Sequence, residues 1–283
     1  MKRIRVSATS ANIGAGFDCM GLALDLYNEI VVDSREEKLV IKTDKGLPTD
    51  EGNLVYASMK KVFELCGRCP NVYIEQTNNI PIASGLGSSA ACIVAGVVGA
   101  NELLGKPLSE HEIVDVCTSL DGHPDNVVPA IKGGVTAGVI MNGHVEYIKC
   151  HAPDNLSLFA ATPDFELHTE KSRAVLPQAY SREDVVYSLS RAIVTFAALV
   201  NSDVDMLKVV DDKLHQPYRK PLIKGYDDVT AAFESAGAVS NFLSGAGPTV
   251  IGFFKSNAEP VLPKGWTLRK LHIVTDGVTV EEI

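Results

Sequence analysis

The stretch Pro81-Ile82-Ala83-Ser84-Gly85-Leu86-Gly87-Ser88-Ser89-Ala90-Ala91 constrains this chain more than any other, because it sets glycines and serines directly before an Ala/Val-rich run. Glycine reaches positive φ and lets a ligand approach the backbone. The unpaired N–H groups and dipole of a helix start attract anions. Serine hydroxyls add hydrogen bonds to phosphate or a place on its magnesium ion. An ordinary turn and N-cap would need one glycine or one serine, so the density of both points to a phosphate cradle.

Two familiar phosphate loops do not fit. The P-loop needs Gly-Lys-Ser/Thr after its glycines, and this segment holds no lysine. Gly85-Leu86-Gly87-Ser88-Ser89-Ala90 satisfies a relaxed dinucleotide fingerprint, which requires a hydrophobic strand before it and an acidic residue about 20 positions on. Gln76-Thr77-Asn78-Asn79-Ile80-Pro81 is poor strand material, and Gly105-Lys106-Pro107 stands where the acid belongs. A nicotinamide dehydrogenase remains a distant second reading.

Composition narrows the partners. With 283 residues, 46% hydrophobic and 22% charged, the chain has the make-up of a globular protein with a substantial core. A net charge of −9 argues against a nucleic-acid partner, which would call for a basic stripe. The basic start Met1-Lys2-Arg3-Ile4-Arg5 precedes no apolar run, and Ala90 to Ala100 is too short to span a bilayer. The expectation is a cytoplasmic protein with no membrane partner. Cys19, Cys66, Cys69, Cys92, Cys117 and Cys150 lack framework spacing and are expected reduced. Cys66-Gly-Arg-Cys69 has metal-ligand spacing, but no second pair completes a zinc site.

Strand-like stretches run over 4–7, 29–33, 72–75, 134–140, 156–161, 249–254 and 271–274. Asn53 is placed to cap a helix from Leu54 to Cys66, and Ser109-Glu110-His111-Glu112 is a capping-box pattern opening another. Val185, Leu189, Ile193, Phe196 and Val200 recur at helical spacing. The class is mixed α and β. A loop around Cys150 to Asn155 marks the expected boundary, giving domains 1–152 and 153–283.

Four segments together resemble a known family. Pro81 to Ala91 looks like the phosphate motif of the superfamily of galactokinase, homoserine kinase, mevalonate kinase and phosphomevalonate kinase. Ser7-Ala8-Thr9-Ser10-Ala11-Asn12-Ile13-Gly14-Ala15-Gly16-Phe17-Asp18 resembles its amino-terminal motif as homoserine kinases carry it. His123-Pro124-Asp125-Asn126-Val127-Val128-Pro129-Ala130 is narrower still, and Ser244-Gly245-Ala246-Gly247-Pro248-Thr249 resembles the third superfamily motif. The resemblance implies a two-domain α+β fold with a left-handed βαβ unit near the phosphate loop. Its first half would be a ribosomal-protein-S5-like nucleotide domain and its second a ferredoxin-like domain. It also implies transfer of the ATP γ-phosphoryl group to the hydroxyl of L-homoserine in threonine biosynthesis, with Mg²⁺ as cofactor. A homodimer is compatible with the sequence.

Carried over residue by residue, the resemblance assigns Pro81 to Ala91 and Asn53 to ATP. Asn12, Asp18, Asp125, Asn126, Thr169, Arg173, Arg219 and Gly245 fall to the acceptor. Asn126, Asn12 and His123 become the residues at the reacting hydroxyl. An arginine forks a carboxylate through two parallel hydrogen bonds, which suits Arg173 and Arg219 to an amino acid. Homoserine kinases typically carry a magnesium-binding glutamate where this chain has Ser119. Asp115, on the same helix face as Ser119, is the expected replacement beside Ser89; Asp121 would point elsewhere if the helix continued. Two further readings stay open: another small hydroxy metabolite as acceptor, and a nucleotide-binding relative with weakened catalysis.

Overall fold

The computed structural model describes residues 1–34, 37–44, 46–153 and 156–283. Asp154 and Asn155 of the expected boundary loop lie outside the described residues. A seven-stranded sheet holds β1 (Lys2–Ala11), β2 (Met20–Asp33), β3 (Val40–Thr43), β4 (Tyr73–Thr77), β5 (Val135–Met141) and β6 (His144–Cys150). A four-stranded sheet holds β7 (Ser157–Pro163), β8 (Ala238–Leu243), β9 (Val250–Phe254) and β10 (Trp266–Leu271). The last strand, β11 (Thr279–Glu282), returns to the first sheet and pairs antiparallel with β1.

Over the first sheet lie α1 (Leu54–Leu65), α2 (Ser88–Leu103), α3 (Glu110–Asp121) and α4 (Pro124–Lys132), with α2 and α4 against β1 and β2. Both caps read from sequence form. Asn53 Oδ1 accepts from Val55 N at 2.9 Å and Tyr56 N at 3.3 Å, and Ser109 and Glu112 close a capping box on α3. Helix α2 is apolar all round because it is the centre of the core, buried from Ala90 to Asn101. Gly96 makes its packing on α1 close: a Cβ there would overlap the Val55 carbonyl and lie 2.7 Å from Ser58 Cβ.

The second half adds α5 (Thr169–Ala174), α6 (Arg182–Val200), α7 (Gln216–Arg219) and α8 (Tyr226–Ser235). Strands β7 and β9 are buried on both faces. Leu158, Ala160, Ile251 and Phe253 enter the large core shared with the first sheet, while Phe159, Ala161, Val250 and Phe254 enter a smaller one under α8. The period of two in strand side chains thus welds both halves together. Among the described residues no helix is long and apolar enough to cross a membrane.

Two sequence expectations shift. The strand expected over 271–274 ends at Leu271; His272 to Val274 leave the second sheet and meet β2. The β1–β2 register slips between Ser7 and Ala8, leaving Asp25 out of the ladder, and its carboxylate receives His272 N at 2.7 Å. Helix α6 forms as expected, but Leu189 and Ile193 of its apolar repeat are 58% and 62% exposed, while Ser188, Thr195, Ala198 and Leu199 face inward.

Burial makes a prediction. Gly96→Val should destabilise by about 3 kcal/mol through overpacking, lowering Tm by roughly 6–12 °C in a chain of this size. Leu189→Gln with Ile193→Gln should leave Tm within about 2 °C. Thermal unfolding of both variants checks the contrast.

Candidate active site

The segment from Pro81 to Ala91 is a loop held by its neighbours through backbone. Ala83 (φ 48°), Gly85 (φ 85°) and Gly87 (φ 70°) all take left-handed conformations. Leu86 O accepts from Thr9 N at 3.1 Å, Ala83 O from Leu167 N at 3.1 Å and Ser84 O from Thr249 N at 3.0 Å. Ser244 Oγ donates to Gly85 O at 2.6 Å. A Cβ at Gly85 would overlap the Ser244 carbonyl, and one at Gly87 would overlap Thr9 Oγ1. Glycine is therefore required twice by close approach. Gly87 caps α2, whose first N–H groups, at Ser88, Ser89 and Ala90, have no intrahelical partner.

Two cavities meet at this loop, sharing Ala83, Ser88, Ser89, Thr169 and Glu170. One, about 450 Å³, is lined by Asn53, Gln76, Asn78, Ile82 and Cys92 on the α1 side. The other, about 340 Å³, is lined by Asn12, Asp18, Asp121, His123, Asp125, Asn126, Arg173, Arg219 and Gly245. The four sequence motifs thus line one cleft. Pro81, Leu86 and Ala91 line neither cavity, Leu86 and Ala91 being fully buried. Ser84 Oγ is spent inside the loop, donating to Pro81 O at 2.8 Å.

Asn12 (φ 72°) and Asp18 (φ 59°) stand at the ends of a turn between β1 and β2. Asn12 is buried, with Nδ2 donating to Gly245 O at 2.8 Å and Oδ1 accepting from Asp18 N at 2.9 Å. Asp18 forks the Arg173 guanidinium at 2.9 and 3.1 Å, and His123 Nε2 lies 3.4 Å from the same carboxylate. Burial holds the His123 pKa below its ordinary value, opposed by Asp18. Asn126 Oδ1 accepts from Thr9 Oγ1 at 2.8 Å, which fixes the amide beside Gly87.

Arg219 is 1% exposed and forms no ion pair among the described residues. Its Nη1 donates to Gly245 O at 3.2 Å and its Nε to Ser172 O at 3.4 Å. Asp125 is 4% exposed and likewise forms no ion pair among the described residues; burial, then Asp18 and Asp121, push its pKa up to about 8, against the pull of Arg173. Burial pushes Asp121 up to about 6, against the pull of Arg173.

The expectation for Asp115 fails. Its Oδ2 lies 2.7 Å from His144 Nδ1 and its Oδ1 accepts from Val145 N at 2.8 Å, so it ties α3 to β6. Ser119 shares that outward side, its hydroxyl turned to Val116 O. Asp121 instead lines the cavity, because α3 ends there and Gly122 (φ 99°) turns the chain. A glycine after a helical stretch is the signal that would have found it. Among the described residues no three His, Cys, Asp or Glu are grouped to hold a metal, and Cys66 and Cys69 are free thiols.

The cleft joins an anion-binding helix start to a charged pocket, the arrangement of a small-molecule phosphotransferase. Residues 53–134 match the GHMP kinases N terminal domain model and residues 191–263 the GHMP kinases C terminal model. The chain is 44% identical to a homoserine kinase of Petrotoga mobilis, over 92% of this chain and 87% of that one. It is 40% identical to a homoserine kinase of Clostridium botulinum, over 99% and 98%. The homoserine kinase crystal structure from Cytophaga hutchinsonii superposes with a TM-score of 0.88 at 28% identity, covering 99% of this chain and 96% of that one. The fold and cleft define an ATP-dependent small-molecule kinase of the GHMP class. Within that class, the chain belongs to the homoserine kinase family.

A carboxyl group whose folded pKa is raised stabilises the fold fully below its unfolded value, 3.8 for Asp125, and loses that contribution as pH rises towards about 8. Asp125→Asn should therefore gain Tm relative to the parent as pH goes from 5 to 9. Thermal melts across that range test it, and a difference independent of pH would refute it.

Proposed function

We propose that this cleft transfers the γ-phosphoryl group of ATP to the primary hydroxyl of L-homoserine, giving O-phospho-L-homoserine for threonine biosynthesis in the cytoplasm. The carrying observation is Arg219 with Asp125: a guanidinium and a carboxyl group, both buried, neither in an ion pair, lining one cavity. Burial without a counter-ion is costly for the Arg219 charge and raises the Asp125 pKa, so a bound ammonium would favour the ionised form of Asp125. An amino acid supplies both missing partners, its carboxylate to Arg219 and its ammonium to Asp125. Arg173 and Asp18 extend the same recognition, and Thr169 and Gly245 line its walls.

Residues 1–152 act as the nucleotide half, and 153–283 contribute Thr169, Arg173 and Arg219 to the acceptor. The cavity holding Asn53 and Ile82 takes the nucleoside, and the Ser88 to Ala90 amides take the phosphates. The acceptor hydroxyl then lies beside Asn126. With Oδ1 committed to Thr9, the Asn126 amide has N–H left to offer, so it orients the hydroxyl rather than removing its proton. Phosphoryl transfer tolerates this, because positioning and charge carry most of its barrier reduction. As the new O–P bond forms and the bond to ADP breaks, the hydroxyl proton passes to a phosphoryl oxygen. His123 and Arg173 hold the Asp18 carboxylate in place beside the ammonium.

Asp121 and Ser89 are the oxygen donors suited to magnesium on the phosphates. Asp121 is a half-buried carboxyl group lining the cavity with no hydrogen-bond partner among the described residues, and a cation would favour its ionised form. Magnesium, which keeps much of its water and needs one or two carboxylates, fits so sparse a set and would neutralise phosphate charge.

Steady-state transfer from ATP to L-homoserine, with L-threonine and mevalonate as controls, tests the reading. Homoserine should turn over fastest; mevalonate, lacking the ammonium, should not. No homoserine turnover overturns the proposal. Arg219→Ala should raise the homoserine KM by a factor equivalent to about 2–5 kcal/mol, and Arg219→Lys should recover little. Asp121→Asn should raise the magnesium needed for half-saturation while Asp115→Asn leaves it unchanged; Mn²⁺ titration of the nucleotide complex by electron paramagnetic resonance provides a readout apart from turnover.

A further inference from the structure

His215 directly precedes the Gln216-Pro217-Tyr218-Arg219 turn, and its side chain is fully buried. Its ring touches both halves of the acceptor pocket. Nδ1 lies 3.1 Å from Arg219 Nη1, and Nε2 lies 2.8 Å from the carbonyl of Gly14, a residue distant in sequence within the turn from Asn12 to Asp18. The ring stacks on Phe17 at 5.1 Å and 18°, and the Arg219 guanidinium lies 5.3 Å from the same phenyl ring.

The tautomer follows from the partner. A guanidinium can only donate, so Nδ1 must accept, and the single proton of a neutral imidazole sits on Nε2 and is donated to Gly14 O. Burial favours that neutral form, and Arg219 adds to it against the pull of Asp212. Asp212 Oδ2 lies 3.3 Å from Nε2, but that carboxylate is already engaged. Its Oδ1 accepts from His215 N at 2.7 Å and its Oδ2 from Gln216 N at 3.1 Å, which fixes the backbone carrying the ring.

We propose that His215 is a positioning residue: its neutral imidazole aims Arg219 at the acceptor carboxylate and holds the Asn12–Asp18 turn through Gly14. The inference rests on the acceptor reading of the cleft. Arg219 has two carbonyls and this ring as its fixed partners. Asn12, at the start of the same turn, reaches Gly245 O, which also accepts from Arg219. His215 closes that circuit from the other side.

Two substitutions separate the arms. Asparagine keeps an acceptor near the Nδ1 position and loses the reach to Gly14. Glutamine reaches Gly14 with an amide N–H and loses the acceptor for Arg219. His215→Gln should raise the homoserine KM by about 10- to 100-fold, as loss of a hydrogen bond to a charged group does, with the ATP KM unchanged. His215→Asn should keep the homoserine KM near that of the parent and lower kcat, because the turn carrying Asn12 loosens. Identical effects of the two substitutions, or a parallel rise in the ATP KM, would overturn the proposal.

The ¹⁵N shifts of His215 in the unsubstituted protein add a readout that needs neither folding of a variant nor turnover. A neutral ring protonated on Nε2 between pH 6 and 9 is expected; protonation on Nδ1 refutes the assignment. If the parent fails to phosphorylate homoserine while the Nε2 tautomer is found, the acceptor reading fails and the His215–Arg219 geometry stands.

Discussion

The close approach of backbone at Gly85 and Gly87 is the constraint on which the rest of the cleft depends. At both positions a side chain would displace a neighbouring segment, Ser244 in one case and Thr9 in the other. The loop therefore serves as the joint at which β1, α4 and the 244–249 turn meet, as well as a place for an anion. Its carbonyls accept from Thr9, Leu167 and Thr249, residues drawn from both halves of the chain. Holding the loop in left-handed conformations and forming the cleft are one event, since the contacts that impose those conformations bring in the acceptor-side residues.

Such a cleft is costly to the fold. Arg219 and Asp125 are buried without ion-pair partners, and the carboxyl groups of Asp121 and Asp125 titrate above their ordinary range. Stability alone would favour apolar residues at these places. The surrounding structure supplies partial relief: two carbonyls and an imidazole for Arg219, and the Asn126 side chain, at 3.5 Å, for Asp125. That relief orients both groups while leaving each without a counter-ion, which suits a site that must bind a zwitterion and release it as a phosphorylated product.

Much of this was legible in sequence because local chemistry and fold agree there. Asn53 and Ser109 cap their helices because a side-chain acceptor before an apolar-periodic run has few other uses. Periodicity at α6 marked a helix correctly, yet it carries no information on which face turns inward: Ser188, Thr195, Ala198 and Leu199 point in, while Val185, Leu189, Ile193 and Val200 of the apolar repeat are exposed and only its Phe196 packs against the core. The strand set over 271–274 failed because apolar content there serves the contact with β2, and Asp25, left out by a bulge, captures His272. Strand β11 pairs with β1 from the far end of the chain and β3 runs parallel to β4 across α1, whereas β6 and β8 pair with their neighbours β5 and β9 but lack a clean alternation of buried and exposed residues.

The acidic group beside the phosphate loop shows where residue-by-residue reading reaches its limit. Asp115 and Asp121 were separable only by knowing where α3 stops. A helix running past Asp121 turns that side chain away; one stopping at Asp121, with Gly122 left-handed, delivers it into the cavity. The turn of the chain at Gly122 thus accompanies the placing of Asp121, and not Asp115, in the cavity wall. His215 was silent in sequence for a related reason: its partners, Gly14 and Arg219, come from segments that only the joint at the glycine loop brings together. Residue type announces a chemistry, and backbone conformation at a few glycines determines which copy of that residue type can use it.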